Sequence, residues 1–260
     1  MKHRLGSVLT RTSLTPFLFA VSLSSLAAQE NTIDPTKANP DALKALNQMG
    51  AYLRSLQVFQ VRAVTTSEIV LDNGQKLTLD QTTNLLAKNP DKLMVDTTGD
   101  KGSKIYFFDG KIFTLFDRDA SYYAVVPAPS KTAELANILQ TKYNMQIPLV
   151  DLFFWGAPNN APPHITSAID VGPTQVNEIT CEHYAFRQEG LDWQVWIQQG
   201  EFPLPLKLVL TTLTDEARPQ HTSLLSWNLA PSFNEAAFTF TPPKDAQKIT
   251  ITTDTSGGGN

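Results

Sequence analysis

The spacing of apolar residues changes along the chain, and each change marks an element. Leu43, Leu46, Gly50, Leu53 and Leu56 recur at helical spacing behind Asp41, a residue suited to capping. They predict a helix over residues 41–57 with one apolar face. From residue 58 to residue 126 the period shortens to that of strands. Asp72-Asn73-Gly74 is a hairpin signal between strands 58–71 and 76–86. Asn89-Pro90-Asp91 turns the chain into strand 92–98, Asp109-Gly110 joins 105–108 to 112–116, and 122–126 follows. Connections this short predict an antiparallel meander of about six strands.

Pro127 and Pro129 stop the strands. Ser130 or Thr132 can cap a helix running to residue 142, with Leu135, Ile138 and Leu139 on one side. After Pro148, six of the seven residues 149–155 are apolar, which suits either a movable lid on an apolar site or a plain buried helix. A second series of strands is predicted at 166–171, 175–187, 192–198, 204–213 and 221–229. Phe238-Thr239-Phe240-Thr241-Pro242-Pro243 reads as a short edge strand closed by prolines. No linker separates the halves, so the expectation is one mainly β domain of the α+β class, a sheet covered by helices, over residues 41–251. Residues 29–40 form a polar stretch before it, and residues 252–260, with their glycine run, form a flexible tail.

The first residues bear on compartment. Lys2, Arg4 and Arg11 precede an apolar run and then Ala27 and Ala28, the layout of a secretory signal peptide over residues 1–28, cut after Ala27 or Ala28. The run is short for an uncleaved membrane anchor. The expected location is therefore the periplasm, as a soluble protein after cleavage. Removing that segment takes away three positive charges and no negative ones, so the formal net charge moves from −4 to −7. An acidic chain without basic runs argues against nucleic acid as a partner. The single cysteine, Cys181, leaves no intramolecular disulfide to form.

Chemistry is sparse. His164, His183 and His221 lack metal-ligand spacing, no Gly-x-Ser-x-Gly elbow occurs, and no glycine loop suits phosphate. Cys181 and His183 share a strand face, where a buried cysteine beside a histidine is the ordinary reading. The expectation is a protein that is not an enzyme and takes no cofactor or metal. The aromatics say more. In Ile105-Tyr106-Phe107-Phe108 and Ile112-Phe113-Thr114-Leu115-Phe116, apolar residues occupy both alternating sets. Both faces of these strands then meet something apolar, a cavity on one side or packed layers on both. Trp196, between Gln194 and Gln198 on its own face, suits a sheet surface or a cavity mouth.

Several of these segments also carry a resemblance. Phe238 to Pro243, Asn89-Pro90-Asp91-Lys92-Leu93, Asp109-Gly110-Lys111, and the run from Trp196-Ile197 through Gly200 to Pro203-Leu204-Pro205-Leu206-Lys207 resemble segments of the periplasmic outer-membrane lipoprotein carriers. Asp192-Trp193-Gln194, Trp196-Ile197, Pro205, Trp227, Pro148-Leu149, Asp151-Leu152 and Asp109-Gly110 ahead of Tyr123 and Pro127 are similar to a family of predicted periplasmic proteins, the DUF2092 type, in that superfamily. The resemblance spans residues 41–251. It implies an incomplete antiparallel β-barrel with helices plugging it around an apolar cavity. One position departs: carriers usually hold arginine before the proline of the strand turn, and this chain has Asn89.

The functional expectation is a periplasmic carrier or sensor of a hydrophobic ligand, with lipid or the acyl chains of lipoproteins as partners. Leu43, Leu46, Leu53, Phe107, Phe113, Leu152, Phe153 and Trp155 are the expected cavity liners. The alternative is a protein-interaction module for an envelope protein partner, in assembly or stress signalling, without bound lipid.

Overall fold

The computed structural model describes residues 38–153 and 164–251. The expected signal segment, the polar stretch up to residue 37, Trp155 and the tail from residue 252 lie outside the described residues. The chain opens with α1 (Pro40–Ser55). Its cap is Asn39, not Asp41: the Asn39 side chain accepts from the Asp41 and Ala42 N–H groups, and Pro40 takes the first helical position, where it gives up no bond. Six strands follow as a meander: β1 (Val58–Val70), β2 (Lys76–Lys88), β3 (Lys92–Gly99), β4 (Gly102–Phe108), β5 (Ile112–Asp117) and β6 (Tyr122–Pro127). Then come α2 (Thr132–Tyr143) and a single 3-10 turn, Val150–Phe153, within the apolar segment that begins at residue 149. Five strands form the second meander: β7 (Ser167–Val176), β8 (Ile179–Gln188), β9 (Leu191–Gln198), β10 (Pro205–Thr212) and β11 (Gln220–Asn228). The three-residue strand β12 (Gln247–Ile249) closes the series.

All twelve strands form one sheet in the order β12-β6-β5-β4-β3-β2-β1-β11-β10-β9-β8-β7. The two meanders are therefore joined where β1 pairs antiparallel with β11, from Gln60 opposite Asn228 to Ser67 opposite His221. The sheet is open and curved, with no closed barrel; its two helices cover only part of it, less than the sequence led us to expect. β12 pairs parallel with β6, and an isolated parallel bridge joins Ala38 to Ala168 at the other edge.

Two sequence expectations are corrected here. Residues 171–175 do not interrupt a strand: β7 runs through Gly172 and Pro173 by a register shift between Asp170 and Gly172, and the chain turns instead at Asn177 and Glu178, both at positive φ. An edge strand tolerates this proline because its outer side has no ladder partner. Phe238-Thr239-Phe240 is not a strand either. It follows a 3-10 turn (Glu235–Phe238) and lies as a strap on the back of the sheet, away from the helices. Phe238 is buried with Phe233 edge-on at 5.4 Å, and Phe240 packs on Phe107, Phe116 and Tyr123 at 5.1–5.5 Å between ring centroids. Glu235 pins the strap by accepting from Lys88 and, at 2.6 Å, from Lys92.

Candidate functional site

Strand alternation builds the helix-bearing face. Phe59, Val61 and Ala63 on β1 sit opposite Ala87, Leu85 and Thr83 on β2, and the same set continues through Leu93 and Val95, Phe108 and Tyr106, then Phe113 and Val126. These residues form one buried cluster, into which α2 sends Leu135 and Leu139. A second cluster gathers Phe186, Trp193, Val195 and Ile197 from β8 and β9 under Ala42, Met49 and Leu53 of α1. The two clusters are separate. They meet through Leu56, Leu149, Trp227 and Leu229, all only partly buried and packed against both.

The 3-10 turn straddles this seam. Val150 belongs to the first cluster and Leu152 to the second. Leu149, which leads into the turn, holds φ at 66°, a left-handed conformation that costs a leucine about 1–2 kcal/mol. Seam residues are otherwise tied by polar contacts: Trp227 Nε1 donates to the Pro205 carbonyl at 2.8 Å, and Asn89 Nδ2 donates to the Leu56 carbonyl at 2.6 Å. Asn89 thus anchors the β2–β3 turn to the end of α1 through a neutral hydrogen bond.

The expected liners are distributed as follows. Leu53 and Leu152 are buried in the second cluster, with Leu43 and Leu46 partly buried beside them. Phe113 is fully buried in the first cluster. Phe107 does not join them: it pairs with Thr114, faces the back of the sheet and stacks obliquely on Phe240. Phe153 closes the 3-10 turn, and Trp155 lies outside the described residues. The apolar residues on both faces of β4 and β5 are therefore explained by two different covers, α2 on one side and the strap on the other.

On the back of the second meander, His183, Trp196 and Lys207 are cross-strand neighbours. The imidazole stacks on the indole at 4.0 Å and 9°, the Lys207 ammonium lies 4.5 Å from the ring centroid, and His183 Nε2 bonds Gln194 at 2.9 Å. Burial, with repulsion from Lys207 adding to it, holds the imidazole below its ordinary pKa despite the opposing Gln194 bond. Cys181 makes a separate contact, donating to the Ile179 carbonyl at 3.5 Å, and burial pushes its thiol up, away from nucleophilic reactivity.

The fold and its paired apolar clusters define a class: an open antiparallel sheet with helices packed into one face. The chain belongs to the DUF2092 family of predicted periplasmic proteins, whose family model matches residues 42–252. That membership places the protein in the periplasm. No helix among the described residues is long and apolar enough to cross a membrane. The chain is also similar to three solved structures. A conserved protein from Thermus thermophilus shares 12% identity over 81% of this chain and 99% of its own, at a TM-score of 0.45. LprF from Mycobacterium bovis shares 10% over 81% and 99%, at 0.41, and a LolA superfamily protein from Nitrosomonas europaea 9% over 76% and 97%, at 0.35. No curated protein matches the sequence.

Proposed function

We propose that this protein binds a hydrophobic ligand, a lipid or acyl chain, in the seam between its two apolar clusters, as a periplasmic carrier or sensor. The observation that carries this reading is the division of the helix face into two cores bridged, among the described residues, by half-buried Leu56, Leu149, Trp227 and Leu229 and by the 3-10 turn. A seam lined by partly exposed leucines and one tryptophan gains by admitting apolar atoms, at about 0.8 kcal/mol for each methylene taken from water. The turn at Leu149 is a strained element that can move aside; Leu53 and Leu152, with Leu43 and Leu46 beside them, back the seam from the second cluster, and Phe113 lies deeper in the first. The reading is that of a binding protein, without catalytic machinery.

The test is organic extraction of the purified protein followed by mass spectrometry, with titration of a fluorescent fatty acid. We expect a co-purified lipid or saturable uptake, and about tenfold weaker uptake in Leu149→Asp. Absence of both lipid and uptake in repeated preparations overturns the proposal.

A second reading rests on the back of the sheet. Val64 and Leu224 are cross-strand neighbours there and stand about 40% exposed, beside Lys207. Such a pair suits contact with an envelope protein. Stoichiometric recovery of one periplasmic protein, abolished by Val64→Lys while lipid uptake persists, would select it.

A further inference from the structure

The helix-bearing face changes character along β1. Phe59, Val61 and Ala63 give way to Thr65 and then Ser67, and the neighbouring strands follow suit with Thr83, Thr97 and Ser223, all buried. Beyond these hydroxyls the sheet opens into a cavity of about 320 Å3 among the ends of β1, β2, β10 and β11, with Lys101 at its side. That volume lies at the lower end of the range for small-ligand sites.

A hydrogen-bonded relay leads from the buried hydroxyls to Ser67 and His221 in the cavity lining. Ser67 Oγ is 2.8 Å from His221 Nδ1, His221 Nε2 is 3.4 Å from Ser223 Oγ, and Ser223 Oγ is 2.9 Å from Thr65 Oγ1. Each hydroxyl donates one hydrogen and accepts at its lone pairs, and the neutral imidazole does one at each nitrogen. Exchanging the imidazole tautomer reverses the relay, so Ser67 can present either a hydrogen or a lone pair to a ligand. Burial, with the Lys101 charge adding to it, lowers the His221 pKa and favours the neutral ring this requires.

Charge selects among ligands. Glu68 is occupied by Lys76 at 3.1 Å and the Gln220 N–H at 2.9 Å, and Asp80 accepts from Thr66 at 2.7 Å. Lys101 makes no ion pair among the described residues. Strand register places the Glu68 and Asp80 carboxylates on the face opposite Ser67 and His221, turned away from the cavity, and a cation entering it would meet Lys101. With one ammonium and no facing carboxylate in its lining, the cavity suits a neutral group rich in hydroxyls, which can accept from Lys101 and pair with the reversible Ser67 hydroxyl.

We infer that this cavity is a binding site for an uncharged polyhydroxyl group, a sugar or glycerol moiety, either free or as the polar head of an amphipathic molecule. Ser67, His221 and Lys101 are its principal contacts. The site stands on its own residues and does not depend on ligand uptake in the apolar seam.

Saturation-transfer NMR with methyl β-glucoside and with glycerol tests the site alone. We expect transfer to methyl β-glucoside, with affinity at least tenfold lower in Ser67→Ala and in Lys101→Met, two partly exposed positions whose variants are checked for unchanged thermal unfolding. Octyl glucoside and octyl phosphocholine, both below their micellar concentrations, then separate the two sources. Tighter binding of octyl glucoside than of methyl β-glucoside supports an amphipathic ligand, and equal binding supports a free sugar. Absence of transfer to both polyols, no effect of either substitution, or octyl phosphocholine binding as well as octyl glucoside overturns the inference. Fatty acid uptake in the same variants reports on the seam separately, so failure at one site is distinguishable from failure at the other.

Discussion

His183 shows how a single residue couples the back of the sheet to acidity. Its imidazole is stacked against Trp196, and its pKa lies below the ordinary 6.5. Between that depressed value and 6.5 the unfolded chain binds more protons than the folded one, so stability rises with pH across the window. The contribution is present above pH 6.5 and is lost as pH falls through the folded value. His221 is shifted in the same direction and contributes with the same sign. We expect the thermal midpoint to drop on acidification from about pH 7 to pH 5. His183→Phe keeps a stacking ring without a titrating group and should make that dependence shallower; an unchanged slope would locate the effect elsewhere. The histidine was visible in the sequence beside a buried Cys181, but the partners of its ring were not. Pairing across strands supplies them: Trp196 stands opposite on β9 at 4.0 Å between ring centroids, and Gln194 lies within hydrogen-bond reach at 2.9 Å.

The start of α1 separates two readings of the same element. The apolar spacing of Leu43, Leu46 and Leu53 gave the helix and the face it buries, but not its first bond. Asn39 caps it, while Asp41 lies in the first turn and complements the helix dipole. Asn39→Ala should destabilise the protein by about 1 kcal/mol in chemical denaturation, and Asp41→Ala by less. The reverse order would restore Asp41 as the cap. Elsewhere, turn chemistry made β1 to β6 legible, because Asn89-Pro90, Asp109-Gly110 and the Asp72-Asn73-Gly74 run fix where strands reverse. β7 was misplaced for the converse reason: Gly172 and Pro173 resemble a turn and form a bulge, whereas the true turn uses Asn177 and Glu178 at positive φ.

For the whole molecule, the strap after β11 is the feature that local patterning could not supply. Phe238 and Phe240 read as strand residues because aromatics alternate with threonine, yet Phe240 covers β4 to β6 from behind and Phe238 is buried against Phe233 beside Lys92 of β3. A chain ending at residue 229 should expose Phe107, Phe116 and Tyr123, bind a hydrophobic dye such as ANS and lose its cooperative thermal transition; dye binding equal to that of the full chain would deny the strap this role. The candidate polar cavity was equally hidden. Ser67 and His221 are 154 residues apart, neither lies in a motif, and only the pairing of β1 with β11 brings them together. The apolar residues of the helix face were partly legible: of the expected cavity liners, Leu43, Leu46, Leu53 and Leu152 gather in or beside the second cluster, whereas Phe107 lies behind the sheet against Phe240.

That pairing also orders events in time. Each meander is made of neighbouring hairpins, whose contacts span few residues and form quickly. Joining them must close a loop of more than 150 residues, marked by the Thr65–Ser223 hydrogen bond with a separation of 158. The union of β1 with β11 is therefore the slow act of folding. Until it happens, two strand edges rich in valine and leucine stand open to other chains, and the interval before closure is when this protein is most exposed to aggregation.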